Sequence, residues 1–163
     1  MLNNTVEITI ENLTIDKIEE ILAFKSKLRL SEVAKHRIQK CRHFLDKKMD
    51  EKDKVFYGIN TGFGSLCNTV VSNDELSQLQ ENLVKSHACG MGEESSEIIV
   101  RLMILLKVQG LSYGHSGVAV ATVERLIDFY NNDILPVVYE QGSLGASGDL
   151  SPLAHMSLAL LGL

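Results

Sequence analysis

The chain has 163 residues and a net charge of -5, with 45% hydrophobic and 23% charged residues. This is the balance of an ordinary globular protein, long enough for one domain with a sizeable core. The acidic balance and the lack of Trp exclude a base-stacking nucleic-acid surface as the main interface, and no apolar run approaches a membrane span.

Val6-Glu-Ile-Thr-Ile10 alternates and predicts a short strand. Thr14 is placed to cap a helix whose apolar face is Ile15, Ile18, Ile21 and Leu22, with Asp16 at its positive end. Ser31 is placed to cap a second helix to about Met49, with Val33, Ala34, Ile38, Cys41, Phe44 and Leu45 on one face. Residues 25–54 hold 11 of the 16 Lys and Arg against five acids. Such a run is either a solvated face or a basic surface toward an acidic neighbour or an anionic substrate.

After the charged connector Asp50–Lys54 comes a glycine-punctuated loop, Val55–Ser65. Ser72-Asn-Asp-Glu75 fits a capping box that opens a helix carrying Leu76, Leu79, Leu83 and Val84 and ending near Gly90. Residues 96–111 are apolar nearly all round, which predicts a central core helix. Ser116 is the candidate cap of the next helix, which presents Val120, Val123, Leu126, Ile127 and Tyr130 and closes at Asn131-Asn132 and Pro136. The last helix starts at Pro152, with Ser151 as candidate N-cap, and apolar residues continue to Leu163. The reading is mainly α with a small β element. An apolar final helix suggests residues 1–163 are the amino-terminal domain of a longer chain, truncated within that helix.

Three well-separated cysteines, Cys41, Cys67 and Cys89, form no C-x-x-C pair. They suit a reducing, cytoplasmic compartment, and no secretory signal is visible. The histidines lack metal-ligand spacing, so no metal is expected. His36, His43, His115 and His155 read as structural or surface residues.

Most of the chemistry resides in Gly142-Ser-Leu-Gly-Ala-Ser-Gly-Asp-Leu-Ser-Pro152. Small residues let this turn fold tightly, so the Gly148 nitrogen can approach the Ala146 carbonyl carbon. Attack there, with loss of water from the ring and from Ser147, gives a methylidene-imidazolone, an electrophile that no ordinary side chain supplies. A hydrolase elbow needs Gly where Asp149 stands, and a phosphate loop needs a Lys that is absent. A phosphate at the following helix N-terminus is a further, general possibility.

Two upstream motifs accompany this run: Tyr57-Gly-Ile-Asn-Thr-Gly-Phe-Gly64 and Asn82-Leu-Val-Lys-Ser-His87-Ala-Cys-Gly90. In order and spacing, the three together resemble the amino-terminal part of the aromatic amino-acid ammonia-lyases, and most closely their histidine-specific members. The resemblance covers essentially the whole chain. It implies the helical fold of the fumarase/aspartase-like ammonia-lyase superfamily and a homotetramer whose sites combine several subunits.

The resemblance implies conversion of L-histidine to trans-urocanate and ammonia, with no nucleic-acid or membrane partner. Ala146, Ser147 and Gly148 would cyclise unaided to the electrophile. Tyr57 would handle a proton or the amine in a loop that closes over the substrate, and Gly62 and Asp149 would shape the loops. His87 would contact the substrate imidazole, where an unrelated His at a helix end is an ordinary dipole-favoured residue. Cys89 departs from the small residue expected there. The substrate-carboxylate ligands of the family lie in later segments, so the alternatives are a non-catalytic amino-terminal piece or a related lyase or aminomutase.

Overall fold

The computed structural model describes residues 4–50, 54–72, 75–143, 145 and 148–163. Ala146 and Ser147 therefore lie outside the described residues, as do Asn73 and Asp74 of the expected capping box. The chain divides into two compact units: Met1–Asp50 with Glu97–Leu135, and Glu51–Ser96 with Pro136–Leu163. The expectation of a mainly helical fold with small β elements is borne out.

In the first unit, strands β1 (Thr5–Ile8) and β2 (Lys27–Leu30) pair in parallel and are joined by helix α1 (Ile15–Ala23). Val6 and Ile8 face the core opposite Leu28 and Leu30, while Glu7 and Arg29 pair across the exposed side at 3.2 Å. Alternation is the cause: one face of each strand is apolar and the other charged. β2 was not foreseen, because its alternating residues lie inside the basic run. Helices α2 (Glu32–Met49), α4 (Glu97–Ser112) and α5 (Val120–Asn131) complete the core with Ala34, Ile38, Val100, Ile104, Val108, Val123 and Leu126.

The caps at Thr14 and Ser31 form as expected, accepting from the Lys17 and Ala34 amides. Three parts of the reading change. Ile15, Val33 and Phe44 are exposed rather than inward, because each lies at the margin of its helix's apolar stripe. Helix α4 is two-faced, with Ile98, Ile99 and Leu106 about half exposed. Helix α5 starts four residues after Ser116, at an Ala119 cap with no side-chain bond.

Buried polar groups tie the first unit together. Ser112 donates to the Thr9 carbonyl at 2.7 Å, and Gln109 donates to the Glu11 carbonyl at 2.9 Å. Asn131 pairs with the outer edge of β2: Oδ1 accepts the Leu28 amide at 2.7 Å and Nδ2 donates to its carbonyl at 2.8 Å. One amide side chain thus takes the place of a third strand at Leu28.

The second unit holds helix α3 (Leu76–His87), strands β3 (Met91–Glu94) and β4 (Tyr139–Gln141), and helix α6 (Ser151–Leu158). β3 and β4 pair antiparallel with an irregular register, and α3 packs on α6. Ser72 Oγ bonds the Glu75 carboxylate at 3.0 Å rather than a helix amide. Ser151 is the first residue of α6 and not its cap: Asp149 Oδ1 accepts the Ser151 amide at 3.0 Å.

Two outcomes follow. Asn131→Ala leaves the Leu28 amide and carbonyl unpaired, and urea denaturation is expected to show a loss of about 1–3 kcal/mol. Arg101, 2.7 Å from Asp133, hydrogen-bonds its carboxylate and holds it below the ordinary Asp range. A depressed carboxylate stabilises the fold above the unfolded value of about 3.9, and that contribution is lost as pH falls through the folded value. Asp133→Asn, which tolerates the positive φ of 57° there, is expected to make the acid limb of stability shallower below about pH 4.

Candidate functional site

The described candidate site residues Tyr57, Gly62, His87, Gly148 and Asp149 fall in the second unit. The Tyr57 loop is shaped by its own polar side chains. Asn60 Oδ1 accepts the Phe56 amide at 2.8 Å, its Nδ2 donates to the Lys54 carbonyl at 2.9 Å, and buried Thr61 accepts the Gly58 amide at 3.1 Å. The conspicuous Asn-Thr pair of the motif is therefore internal scaffolding. Gly62 is required by close approach: a β-carbon there would stand 2.6 Å from Leu66 Cβ.

Tyr57 is 61% exposed, and its hydroxyl accepts the Gly64 amide at 3.2 Å. That leaves its own O–H available to donate. Its ring lies 5.7 Å from Phe63, and Phe63 meets His87 edge-on at 5.5 Å. The three rings form a ladder from the loop to the end of α3, an arrangement favoured by ring quadrupoles.

His87 is oriented by the helix it ends. Its Nδ1 lies 2.7 Å from the Leu83 carbonyl and 3.1 Å from Ser86 Oγ. A carbonyl only accepts, so Nδ1 carries a proton and Nε2 is the ring nitrogen left to meet a ligand. His87, Phe63, Gln80 and Leu83 line a cavity of about 230 Å³ completed by Leu153 and Ala154 of α6. A cavity that is mostly apolar with a few polar groups suits a small aromatic or imidazole-bearing ligand.

The run before α6 forms a turn in which the Gly148 amide donates to the Gly145 carbonyl at 3.2 Å. Gly148 has φ of 93°, a conformation that side chains disfavour, and among the described residues no atom lies near the position of a β-carbon. Asp149 closes the base of the turn. Its Oδ1 accepts the Ser151 amide at the start of α6, and its carboxylate packs against Gly142 where a β-carbon would collide. Gly145 and Gly148 are thus bonded to each other across the turn.

Sequence reading missed Gln80, Phe63 and His155. Gln80 Nε2 donates to the Gly58 and Ile59 carbonyls at 3.3 and 2.8 Å and fastens the loop to α3. Phe63 was noted only as part of a motif, although its place between glycines marked it as an aromatic with a purpose. For Gln80 and His155 the partners are remote in sequence, so no local signal existed.

Gln80→Met keeps the length of the side chain but removes its donors. Peptide-resolved hydrogen exchange is expected to accelerate at residues 56–62 by about fivefold, the equivalent of about 1 kcal/mol, with α4 unchanged.

The family model for aromatic amino acid lyases matches residues 13–163. Histidine ammonia-lyase of Natranaerobius thermophilus is 44% identical over 157 residues, covering 96% of this chain and 31% of that relative. The same enzyme of Caldanaerobacter subterraneus subsp. tengcongensis is 46% identical over 93% of this chain and 30% of that relative. Among solved structures, histidine ammonia-lyase from Trypanosoma cruzi superposes with a TM-score of 0.81 at 33% identity, over 97% of this chain and 30% of that one. Tyrosine aminomutase from Streptomyces globisporus gives 0.88 at 30% identity, over 97% and 29%. The chain spans about 30% of the length of the curated relatives it matches, and it belongs to the aromatic amino acid lyase family.

Proposed function

We propose that the protein is an ammonia-lyase that converts L-histidine to trans-urocanate and ammonia, with Ala146, Ser147 and Gly148 as precursors of a methylidene-imidazolone. The observation that carries this reading is the His87 cavity. An oriented imidazole lines it together with α6, the helix that leaves the Gly145–Gly148 turn. The naming of relatives as histidine ammonia-lyases supports the choice of substrate.

The residues present fit the group. The turn brings Gly145 and Gly148 into hydrogen-bond contact, and a glycine at 148 has no side chain to hinder attack by its nitrogen. Once formed, the group would supply electrophilic chemistry toward the substrate amine. The remaining work falls to this chain. His87 Nε2 accepts the N–H of the substrate imidazole, with the Leu83 carbonyl holding the tautomer. Phe63 supports that ring from the side. The Tyr57 hydroxyl handles the proton near the β-carbon, and positioning supplies much of the barrier reduction. Gly62 and Asp149 shape the two loops, as their contacts suggest.

The homotetramer and the cytoplasmic setting belong to the same proposal, as does the absence of a metal. So does the inactivity of the 163-residue chain alone, for which the exposure of Tyr57 speaks: a site this open does not exclude water.

Intact mass spectrometry of the whole protein is expected to show a deficit of two water molecules, and an absorbance assay to show urocanate. Ser147→Ala removes the hydroxyl that must leave, and is expected to abolish the deficit and lower kcat by at least about a thousandfold, about 4 kcal/mol of barrier. His87→Leu is expected to keep the deficit and raise KM for L-histidine about tenfold or more. Full mass with no turnover in the whole protein would overturn the proposal. Turnover by the isolated 163-residue chain would overturn its predicted inactivity, and preference for an aromatic substrate would favour a related lyase or aminomutase.

A further inference from the structure

We propose that His155 is a positioning residue: its Nε2 fixes the exit of α3, and so the place of His87, relative to the helix that follows the precursor turn. The inference rests on the proposed function for its catalytic consequence, but its structural part stands on contacts alone.

Three segments meet at His155. It lies on α6, which begins three residues after Gly148. Its Nε2 accepts the Gly90 amide at 2.9 Å, three residues after His87. Its ring meets Tyr139 edge-on at 5.4 Å, three residues before Gly142. One imidazole therefore touches the stretch after the imidazole-binding candidate and the strand that leads into the glycine-rich run, while standing on the helix that leads out of it.

The chemistry sets its state. A backbone amide only donates, so Nε2 is unprotonated and the ring proton of the neutral form is on Nδ1. The fit is close as well as polar. A β-carbon on Gly90 would lie 2.9 Å from His155 Nε2 and 3.0 Å from Ser151 Oγ, and Ser151 is buried with that oxygen unpartnered among the described residues. Backbone and imidazole are in contact with no room for a methyl group. Helix α3 ends at His87, and only Ala88 and Cys89 separate it from this contact. A shift at Gly90 is thus carried within three residues to the side chain that lines the cavity.

The test compares His155→Gln, whose amide keeps an acceptor, with His155→Leu, which has none, in the whole protein. In His155→Leu, exchange of the Gly90 amide and its neighbours in residues 88–91 is expected to rise about tenfold. KM for L-histidine is expected to rise about tenfold, with kcat changed less than threefold and the two-water deficit intact. His155→Gln is expected to restore exchange and KM to within about threefold of the parent. Gly90→Ala, which presses on the same contact from the other side, is expected to reproduce the KM effect and serves if His155→Leu does not fold.

Unchanged exchange at 88–91 in His155→Leu would overturn the proposal, as would a His155→Gln that behaves like His155→Leu. Loss of the two-water deficit in His155→Leu would also overturn it, by assigning His155 to ring formation instead of substrate placement. If the parent protein lacks both the deficit and turnover, the proposed function has failed. The exchange comparison then decides the positioning of the α3 exit by itself.

Discussion

The antiparallel pairing of Met91–Glu94 with Tyr139–Gln141 is the constraint on which the candidate site depends. The second unit is made of two segments separated in sequence by the helices α4 and α5 of the first. The first segment carries the Tyr57 loop and His87, and the second carries the glycine-rich turn and α6. The cavity draws its lining from both. The strand pair, the Ser95 amide bonded to the Val138 carbonyl at 2.7 Å, and the packing of α3 on α6 bring them together. Closing so long a loop costs entropy only logarithmically in its length, so a few well-placed contacts suffice. That explains how an irregular pairing between two very short strands can organise the unit.

What the sequence revealed was what neighbours decide. Thr14 and Ser31 were legible as caps because the donor they satisfy is three residues away on the same chain. β1 was legible from alternation. β2 was not, although Leu28 and Leu30 alternate as cleanly, because its strand character comes from pairing with β1 and from Asn131, 103 residues away. Phe44 and Val33 looked inward by period alone, and helical period cannot say how wide a stripe the core will cover. At α6 the expected cap Ser151 is instead the first helical residue, with its amide bonded to Asp149 and its side chain facing Gly90. The site was legible in its motifs and not in its supports. Tyr57, His87 and the glycine-rich run stood out, whereas Gln80 and His155 act across 21 and 65 residues of sequence.

The two units spend their polar groups differently. In the first, Gln109, Ser112 and Asn131 satisfy backbone atoms of β2 and of the loop after β1, which gives a core with one arrangement. In the second, Asn60, Thr61 and Gln80 satisfy a loop that has little apolar burial of its own. Hydrogen bonds in place of a core can hold a loop in one shape while leaving its free energy of opening low. A loop of this kind is suited to closing over a substrate and reopening.

The apolar side chains around the cavity sharpen that point. Phe63, Leu150 and Leu153 line it, and with Tyr57 and Leu66 of the same unit they remain substantially exposed. Scattered exposed apolar residues are normal, but several that border one cavity mark a surface built to be covered. The proposed chemistry makes the same demand from the other direction. Abstracting a weakly acidic proton and placing charge on a reacting centre gain most from fixed dipoles in a site without bulk water. Within this chain His87 has a fixed tautomer, Tyr57 has a placed hydroxyl, and Gly148 is bonded to Gly145. Orientation is therefore supplied here, and exclusion of water has to come from whatever covers these five side chains.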